Sequence, residues 1–112
     1  MSIASLSTGI SGMKAYQRAL DSSANNIANV QTSGYQTQVP RFQENENGGV
    51  RVDISQESRA LAAQENPNTD INTVDLATEL TNNLQFKAGF ELSAKLVKAT
   101  DEMLSSLLDL GK

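Results

Sequence analysis

The side chains that most often do chemistry in proteins are sparse in this sequence. None of the 112 residues is histidine or cysteine, so the commonest general bases, thiol nucleophiles and metal ligands are missing. Thirteen carboxylates remain, but no pair of them stands in a context that predicts a pocket. A chain this short also has little material for a cleft. We predict that the protein is not an enzyme, with no catalytic residue and no cofactor.

An all-oxygen metal site is the one kind of site that the composition still permits. The segment Glu44-Asn45-Glu46-Asn47-Gly48-Gly49 alternates carboxylate and amide side chains, as the start of a calcium loop does. It lacks the spacing of such a loop and the bidentate glutamate that closes it. We therefore interpret the segment as a solvated turn and expect no metal.

Charge and hydropathy narrow the possible partners. The formal net charge is −4, whereas binding to nucleic acid normally needs a basic surface. No apolar run approaches the roughly 18 residues of a membrane span. The first residues, Met-Ser-Ile-Ala-Ser-Leu, have neither the basic region nor the unbroken apolar region of a secretory signal. We expect no nucleic acid, no membrane insertion and no cleaved signal peptide, which taken alone would predict a cytoplasmic protein.

The segment from Ile3 to Ile27 has the apolar periodicity of an amphipathic helix with a coiled-coil-like seam. Gln17 is a polar gap in its apolar stripe, and such a residue costs stability but can fix register or partner choice. Gly9 and Gly12 are weak helix formers. They are explained most simply as tolerated local flexibility, and alternatively as points where a neighbouring backbone comes close. The apolar stripe consists of Ile3, Leu6, Ile10, Met13, Leu20, Ala24 and Ile27.

Asparagines crowd the end of this helix at Asn25, Asn26 and Asn29. Asparagine tolerates left-handed backbone and bonds to local backbone groups, so it suits helix ends and turns. Gly34 adds a permissive position, and Tyr35 adds a ring for packing and a hydroxyl for a partner. The bare chemistry predicts a polar helix stop followed by a turn.

The middle of the chain predicts a β-hairpin, with Gln38–Phe42 paired to Val50–Ile54. Val50 to Ile54 alternates apolar and polar residues, as a half-buried strand does, and Asn47-Gly48 is a strong hairpin-turn signal. Residues Gln56–Gln64 suit a short helix or an irregular run. Residues Glu65–Asp70 have the composition of a linker.

The last segment predicts a long helix that begins near Thr73 or Val74 and ends at Gly111. Its apolar face is wider than a two-helix seam can cover, so the helix needs at least two neighbours. One apolar stripe consists of Val74, Ala77, Leu80, Leu84, Ala88, Leu92, Leu96, Ala99, Met103, Leu107 and Leu110. A second stripe beside it consists of Phe86, Phe90, Val97, Leu104 and Leu108.

These elements predict a mainly α protein. Two long terminal helices, at 1–33 and 73–112, should pack as an antiparallel coiled-coil-like hairpin, with a small β-hairpin or extended insert at 34–72. With no disulfide available and a small core, association with other chains is the remaining source of stability.

Both ends of the chain also carry residues that resemble a known family. The pattern is similar to the N-terminal and C-terminal motifs of the bacterial flagellar axial proteins of rod and hook, and covers roughly 1–35 and 71–110. Lys87-Ala88 stands where the C-terminal motif often has Gln-Arg, Ser93 where Asn is common, and Gly89 where Ala is frequent. The matching positions are Asn25, Asn26, Ile27, Ala28, Asn29, Thr32, Gly34 and Tyr35, then Asp75, Leu76, Glu79, Phe90, Asp101, Glu102 and Met103.

The resemblance implies a short rod-type structural subunit. Its terminal helices would form the inner core of a helical tube on assembly, with other copies or other rod and hook subunits as partners. It also implies export of the unfolded chain through the flagellar type III apparatus to the basal body. The alternative is a non-polymerising binding module or export adaptor. The predicted subunit interface consists of Ile3, Leu6, Ile10, Met13, Leu20, Ile27, Leu80, Leu84, Leu92, Leu96, Val97, Leu104, Leu107 and Leu108.

Overall fold

The computed structural model describes residues 3–56 and 72–111. Helix α1 spans Ile3–Ala28, strand β1 spans Gln38–Glu44, strand β2 spans Val50–Gln56, and helix α2 spans Leu76–Leu110. The two helices pack lengthwise, so the molecule is elongated at 69 × 26 × 14 Å. The prediction of a mainly α fold with a β-hairpin insert is confirmed. The predicted short helix beyond Gln56 and the predicted linker at 65–70 lie outside the described residues, and Gln56 itself ends β2.

The two helices meet through small and polar side chains. Gly9, Gly12, Ala19, Ser23 and Asn26, the small-residue row of α1, are all buried. The row recurs at heptad spacing and lies one residue before the apolar stripe at each step. One residue is about 100° around a helix. The apolar stripe of α1 is therefore turned to the side of the helix contact, and in it Ile10 is 40% exposed.

The glycines of α1 lie directly against side chains of α2. A Cβ atom at Gly9 would lie 2.8 Å from Val97 Cγ2, and one at Gly12 would lie 2.8 Å from Ser93 Oγ. On α2, a Cβ atom at Gly89 would overlap the ring of Tyr16. The structure favours close packing over local flexibility as the explanation for Gly9 and Gly12, because a larger side chain there would collide with α2.

The β-hairpin forms where it was predicted and packs on both helices. The strands pair antiparallel, with Gln38 opposite Gln56 and Glu44 opposite Val50. At the turn, Gly48 has a φ of 91°, a left-handed conformation that glycine adopts without strain. Val52 is buried, and the Phe42 ring lies 4.9 Å from that of Tyr16 and 5.8 Å from that of Phe86, centroid to centroid.

Side chains of α1 cover the outer edge of β2. The backbone N–H of Val50 donates to Ser11 Oγ at 3.1 Å, and Arg18 Nη1 donates to the carbonyl oxygen of Val52 at 3.4 Å. An exposed strand edge can pair with another chain. These two contacts therefore hold the hairpin on α1 and occupy backbone groups that would otherwise be free for such pairing.

Candidate functional site: the helix junction and the exposed leucine row

Asn26 is the centre of the helix junction, where the end of α1, the turn after it and the start of β1 meet. Its side chain is fully buried. Nδ2 donates to the carbonyl oxygen of Gln38 at 2.8 Å. Oδ1 accepts from the backbone N–H of Gln38 at 2.9 Å and from the hydroxyl of Tyr35 at 2.9 Å. The Asn26 amide thus bonds to both backbone groups of Gln38, as a neighbouring β-strand would. It thereby fixes the direction in which the chain leaves α1 toward the insert.

The approach to α2 is tied to the same junction. Asn72 Nδ2 donates to the carbonyl oxygens of Asn29 and Thr32, both at 2.7 Å. Thr73 Oγ1 accepts from the backbone N–H of Thr37 at 2.8 Å and shares a hydrogen bond with the Thr37 hydroxyl. Sequence reasoning missed Asn72 and Thr37 as junction residues, since isolated polar residues in turns give no local signal for a partner some 36 to 43 residues away.

Asp75, not Thr73 or Val74, is the N-cap of α2. Its Oδ1 accepts from the backbone N–H groups of Ala77 at 3.1 Å and Thr78 at 3.4 Å, and its Oδ2 accepts from the Thr78 hydroxyl at 3.0 Å. A carboxylate here satisfies orphan N–H groups and complements the helix dipole. At the other end Gly111 has a φ of −83°, so α2 ends without a left-handed residue.

Glu79 is a residue of α2 whose negative charge acts on the helix junction. Its side chain is 4% exposed, and its carbonyl oxygen accepts a hydrogen bond from Ser23 Oγ at 3.2 Å. Burial first, and the negative charge of Glu79 second, raise the pKa of Tyr35 above its usual value. Tyr35 therefore keeps its proton, which it donates to Asn26.

This pKa shift predicts a loss of stability in alkali that depends on Tyr35. Below about pH 10 the phenol is neutral in both the folded and the unfolded chain. Above that pH the unfolded chain releases the proton more readily than the folded chain, so the free energy of unfolding falls as pH rises. We expect it to fall less in Tyr35→Phe than in the wild type between pH 8 and pH 11, measured by urea denaturation. Parallel curves would contradict the assignment.

Other resemblance positions have structural roles around the junction. Asn29 Nδ2 donates to the carbonyl oxygen of Asn25 at 2.8 Å, and its Oδ1 accepts from the hydroxyl of Thr32 at 3.1 Å. Gly34 has a φ of 74°, and Ile27 is half-buried. Of the more distant positions, Phe90 is half-buried beside Met13. Ala28, Leu76, Asp101, Glu102 and Met103 are exposed.

The large apolar side chains of α2 lie mostly outside the helix contact. The leucine row consists of Leu80, Leu84, Leu92, Leu96, Met103 and Leu107, which are 51%, 70%, 67%, 39%, 45% and 58% exposed. From Leu80 to Leu96 its members stand at multiples of four residues, and each four residues advance about 40° around a helix. The row therefore winds obliquely around α2, and at Leu96 it reaches the edge of the contact with Gly9 of α1.

The predicted interface residues divide into two groups in the structure. Val97 and Leu104 are half-buried, and so are Leu6, Met13, Leu20 and Ile27 at the sides of α1. The leucine row, Leu108 and Ile10 are exposed. The side chain of Ile3 lies outside the described residues. Within one chain the apolar stripe of α1 is at most half-buried and the leucine row is exposed, so the two do not form the buried seam of the helix contact.

Two family models match this chain at its two ends. The model of flagella basal body rod proteins matches residues 6–36, and the C-terminal model of flagellar basal body rod FlgEFG proteins matches residues 71–110. The chain belongs to the flagellar rod and hook family. The flagellar hook protein FlgE of Helicobacter mustelae is 33% identical over 96 residues, which cover 67% of this chain and 21% of that protein. This family member thus spans about a fifth of the length of that relative.

The helix junction of this rod and hook family member joins its two matched segments. Asn26 and Tyr35 belong to the first segment, and Asn72, Thr73 and Asp75 to the second. Within residues 3–56 and 72–111, no group of three or more metal-ligating side chains is placed to hold an ion. In the same part of the chain neither helix combines the length and apolarity that would let it cross a membrane.

Proposed function

We propose that this chain is a structural subunit of the flagellar axis, of the rod type, which self-assembles through its terminal helices. The observation that carries the proposal is which faces of the two helices are buried and which are exposed. The chain buries glycine, alanine, serine and asparagine in its own helix contact and leaves its leucines exposed. Large apolar surfaces that stay exposed in a single chain mark association sites.

The energetics of the single chain support the same conclusion. Among the described residues the buried apolar side chains are Ala15, Ala19 and Val52. Burial of apolar area contributes roughly 25 cal/mol per Å², so these small side chains stabilise the folded single chain only modestly. Covering the leucine row with helices of neighbouring copies would add the missing apolar burial.

The finer features of the proposal follow from the family and from the shape of the contact. The apolar stripe of α1 and the leucine row of α2 are different surfaces, so copies that join one to the other add head to tail, and an open contact of this kind generates a helical filament rather than a closed ring. The resulting tube would be part of the basal-body rod and would transmit torque through helix packing. The subunit would reach that place through the flagellar export apparatus, without a cleaved signal peptide, and assemble with other rod or hook subunits.

A charge placed in the leucine row should separate assembly from folding. In Leu92→Asp we expect the free energy of unfolding of the single chain to change by no more than about 0.5 kcal/mol, because the site is solvent-exposed. Assembly should fail, because the interface would bury an unpaired carboxylate. Sedimentation velocity over a hundredfold concentration range, combined with circular dichroism, measures both quantities.

The matched control for Leu92→Asp is Ser105→Asp, which places the same charge on α2 at an exposed position outside the row. This variant should sediment like the wild type. If Leu92→Asp assembles as the wild type does, the leucine row is not the assembly surface. The alternative of a non-polymerising adaptor requires the row to be covered within the chain, and the exposure of the row favours the axial subunit.

A further inference from the structure

A groove lies between α1 and β2, and none of the residues that line it belongs to α2. Its volume is about 360 Å³, and its apolar floor is formed by Ala15, Val50 and Val52. Val52 is 3% exposed and Ala15 is also 3% exposed. The floor is therefore closely packed, and the open groove above it can accommodate an aliphatic side chain of another molecule.

The rim of the groove is basic although the chain as a whole is acidic. Lys14, Arg18 and Arg51 line it, with Asp53 as the opposing carboxylate. The Arg51–Asp53 pair is long, at 3.9 Å, and exposed. Among the residues that the structure describes, Arg18 donates one hydrogen bond, to the carbonyl oxygen of Val52. Within the described residues no ion pair or hydrogen bond involves Lys14, so the rim has positive charge to offer an anionic partner.

The tip of α2 has the opposite properties. Leu108 and Leu110 are 72% and 83% exposed, and Asp109 stands between them. No basic residue lies in the last helical turn, so the carboxylate adds to the negative end of the helix dipole. Lys112 follows in the sequence and lies outside the described residues. A basic partner at Asp109 would relieve an arrangement that is unfavourable in the single chain.

The tip cannot reach the groove of its own chain. The close approaches of Gly9 to Val97 and of Gly89 to Tyr16 set the register of the two helices. Asp109 stands 20 residues beyond Gly89, which is about 30 Å along an α-helix. The groove lies beside Lys14 and Arg18, near the level of Gly89. Any contact between the tip and a groove must therefore join two copies.

We propose that the groove receives the α2 tip of a second copy of this chain. One of the two leucines that flank Asp109 covers the apolar floor, and the carboxylate lies between Lys14 and Arg18. The contact joins different surfaces of the two copies and extends without closing. It rests on the proposed function, and assigns a head-to-tail joint within it that is separate from the leucine row.

Charge exchange at this joint tests the proposal. Lys14→Glu and Asp109→Lys should each weaken self-association at least about tenfold, as the loss of a close charge pair across an interface does. The double variant Lys14→Glu/Asp109→Lys should recover it. An equimolar mixture of the two single variants should recover it as well, because the reversed tip fits the reversed groove and the native tip fits the native groove. Sedimentation velocity of the full chain, at matched helicity by circular dichroism, gives each dissociation constant.

The possible results separate this joint from the proposed function. If the wild type associates and both single variants do so equally well, the joint is wrong while the axial-subunit proposal stands. If the single variants weaken association and neither the double variant nor the mixture restores it, the specific charge pairing is wrong. If the wild type stays monomeric over the whole concentration range, both proposals are overturned. Restoration by the mixture would not occur if the variants had merely unfolded.

Discussion

Replacing Ala19 by leucine is expected to destabilise the folded chain by roughly 3 kcal/mol, at the upper end of what overpacking usually costs. Ala19 is 0% exposed and stands in the small-residue row between Gly12 and Ser23. In the neighbouring turns, even a single Cβ atom at Gly9 or Gly12 would collide with Val97 or Ser93. Three added carbon atoms have no space in this contact, so α1 must move away from α2.

The consequences should reach the junction as well as the helix contact. Separation of the helices would loosen the hydrogen bond between Ser23 Oγ and the carbonyl oxygen of Glu79 and the tilted contact between the Phe42 ring and the Phe86 ring of α2. Urea denaturation followed by circular dichroism measures the loss, at a concentration low enough to exclude association.

Ala24→Leu is the matched control, because Ala24 lies in the same helix on its exposed side. The same change of residue type there should shift the free energy of unfolding by no more than about 0.5 kcal/mol. Equal losses in the two variants would mean that leucine disturbs α1 itself and that close helix approach is not the cause.

Asn26→Ala is expected to cost about 3 kcal/mol, the second large effect. The change removes the partners of the backbone N–H and carbonyl oxygen of Gln38 and of the Tyr35 hydroxyl. A buried polar group left without a hydrogen bond costs about 1–3 kcal/mol. The small methyl group of alanine also leaves a cavity where the amide was fully buried.

Two comparison variants divide this effect into its parts. Tyr35→Phe at neutral pH removes one of the three hydrogen bonds, so we expect a loss of about 1 kcal/mol. Asn25→Ala changes the neighbouring exposed asparagine and should be nearly neutral. Urea denaturation of the three variants gives the order Asn26→Ala, Tyr35→Phe, Asn25→Ala. A loss in Asn25→Ala equal to that in Asn26→Ala would show that helix termination, and not the buried amide, is what matters.

Local sequence signals were sufficient to predict the helices and strands and their order along the chain. Heptad spacing predicted both helices, the alternation from Val50 to Ile54 and the Asn-Gly turn predicted the hairpin, and the asparagines near residue 28 predicted the end of α1. These features depend on neighbours a few residues away, and their physical causes are contained in short segments. The start of α2 was misplaced by two or three residues because Thr73, which resembles a cap, instead bonds to Thr37.

The choice of contacting faces was beyond the reach of the sequence pattern. In α1 the apolar stripe and the small-residue row have the same heptad spacing and differ by one residue, so periodicity alone cannot say which one meets α2. The tertiary structure decides for the small row, because small side chains let α1 and α2 approach closely enough for Ser23 Oγ to bond to the carbonyl oxygen of Glu79. Most leucines of α2 are left outside because a close helix contact has no volume for them, and they are exposed in the single chain.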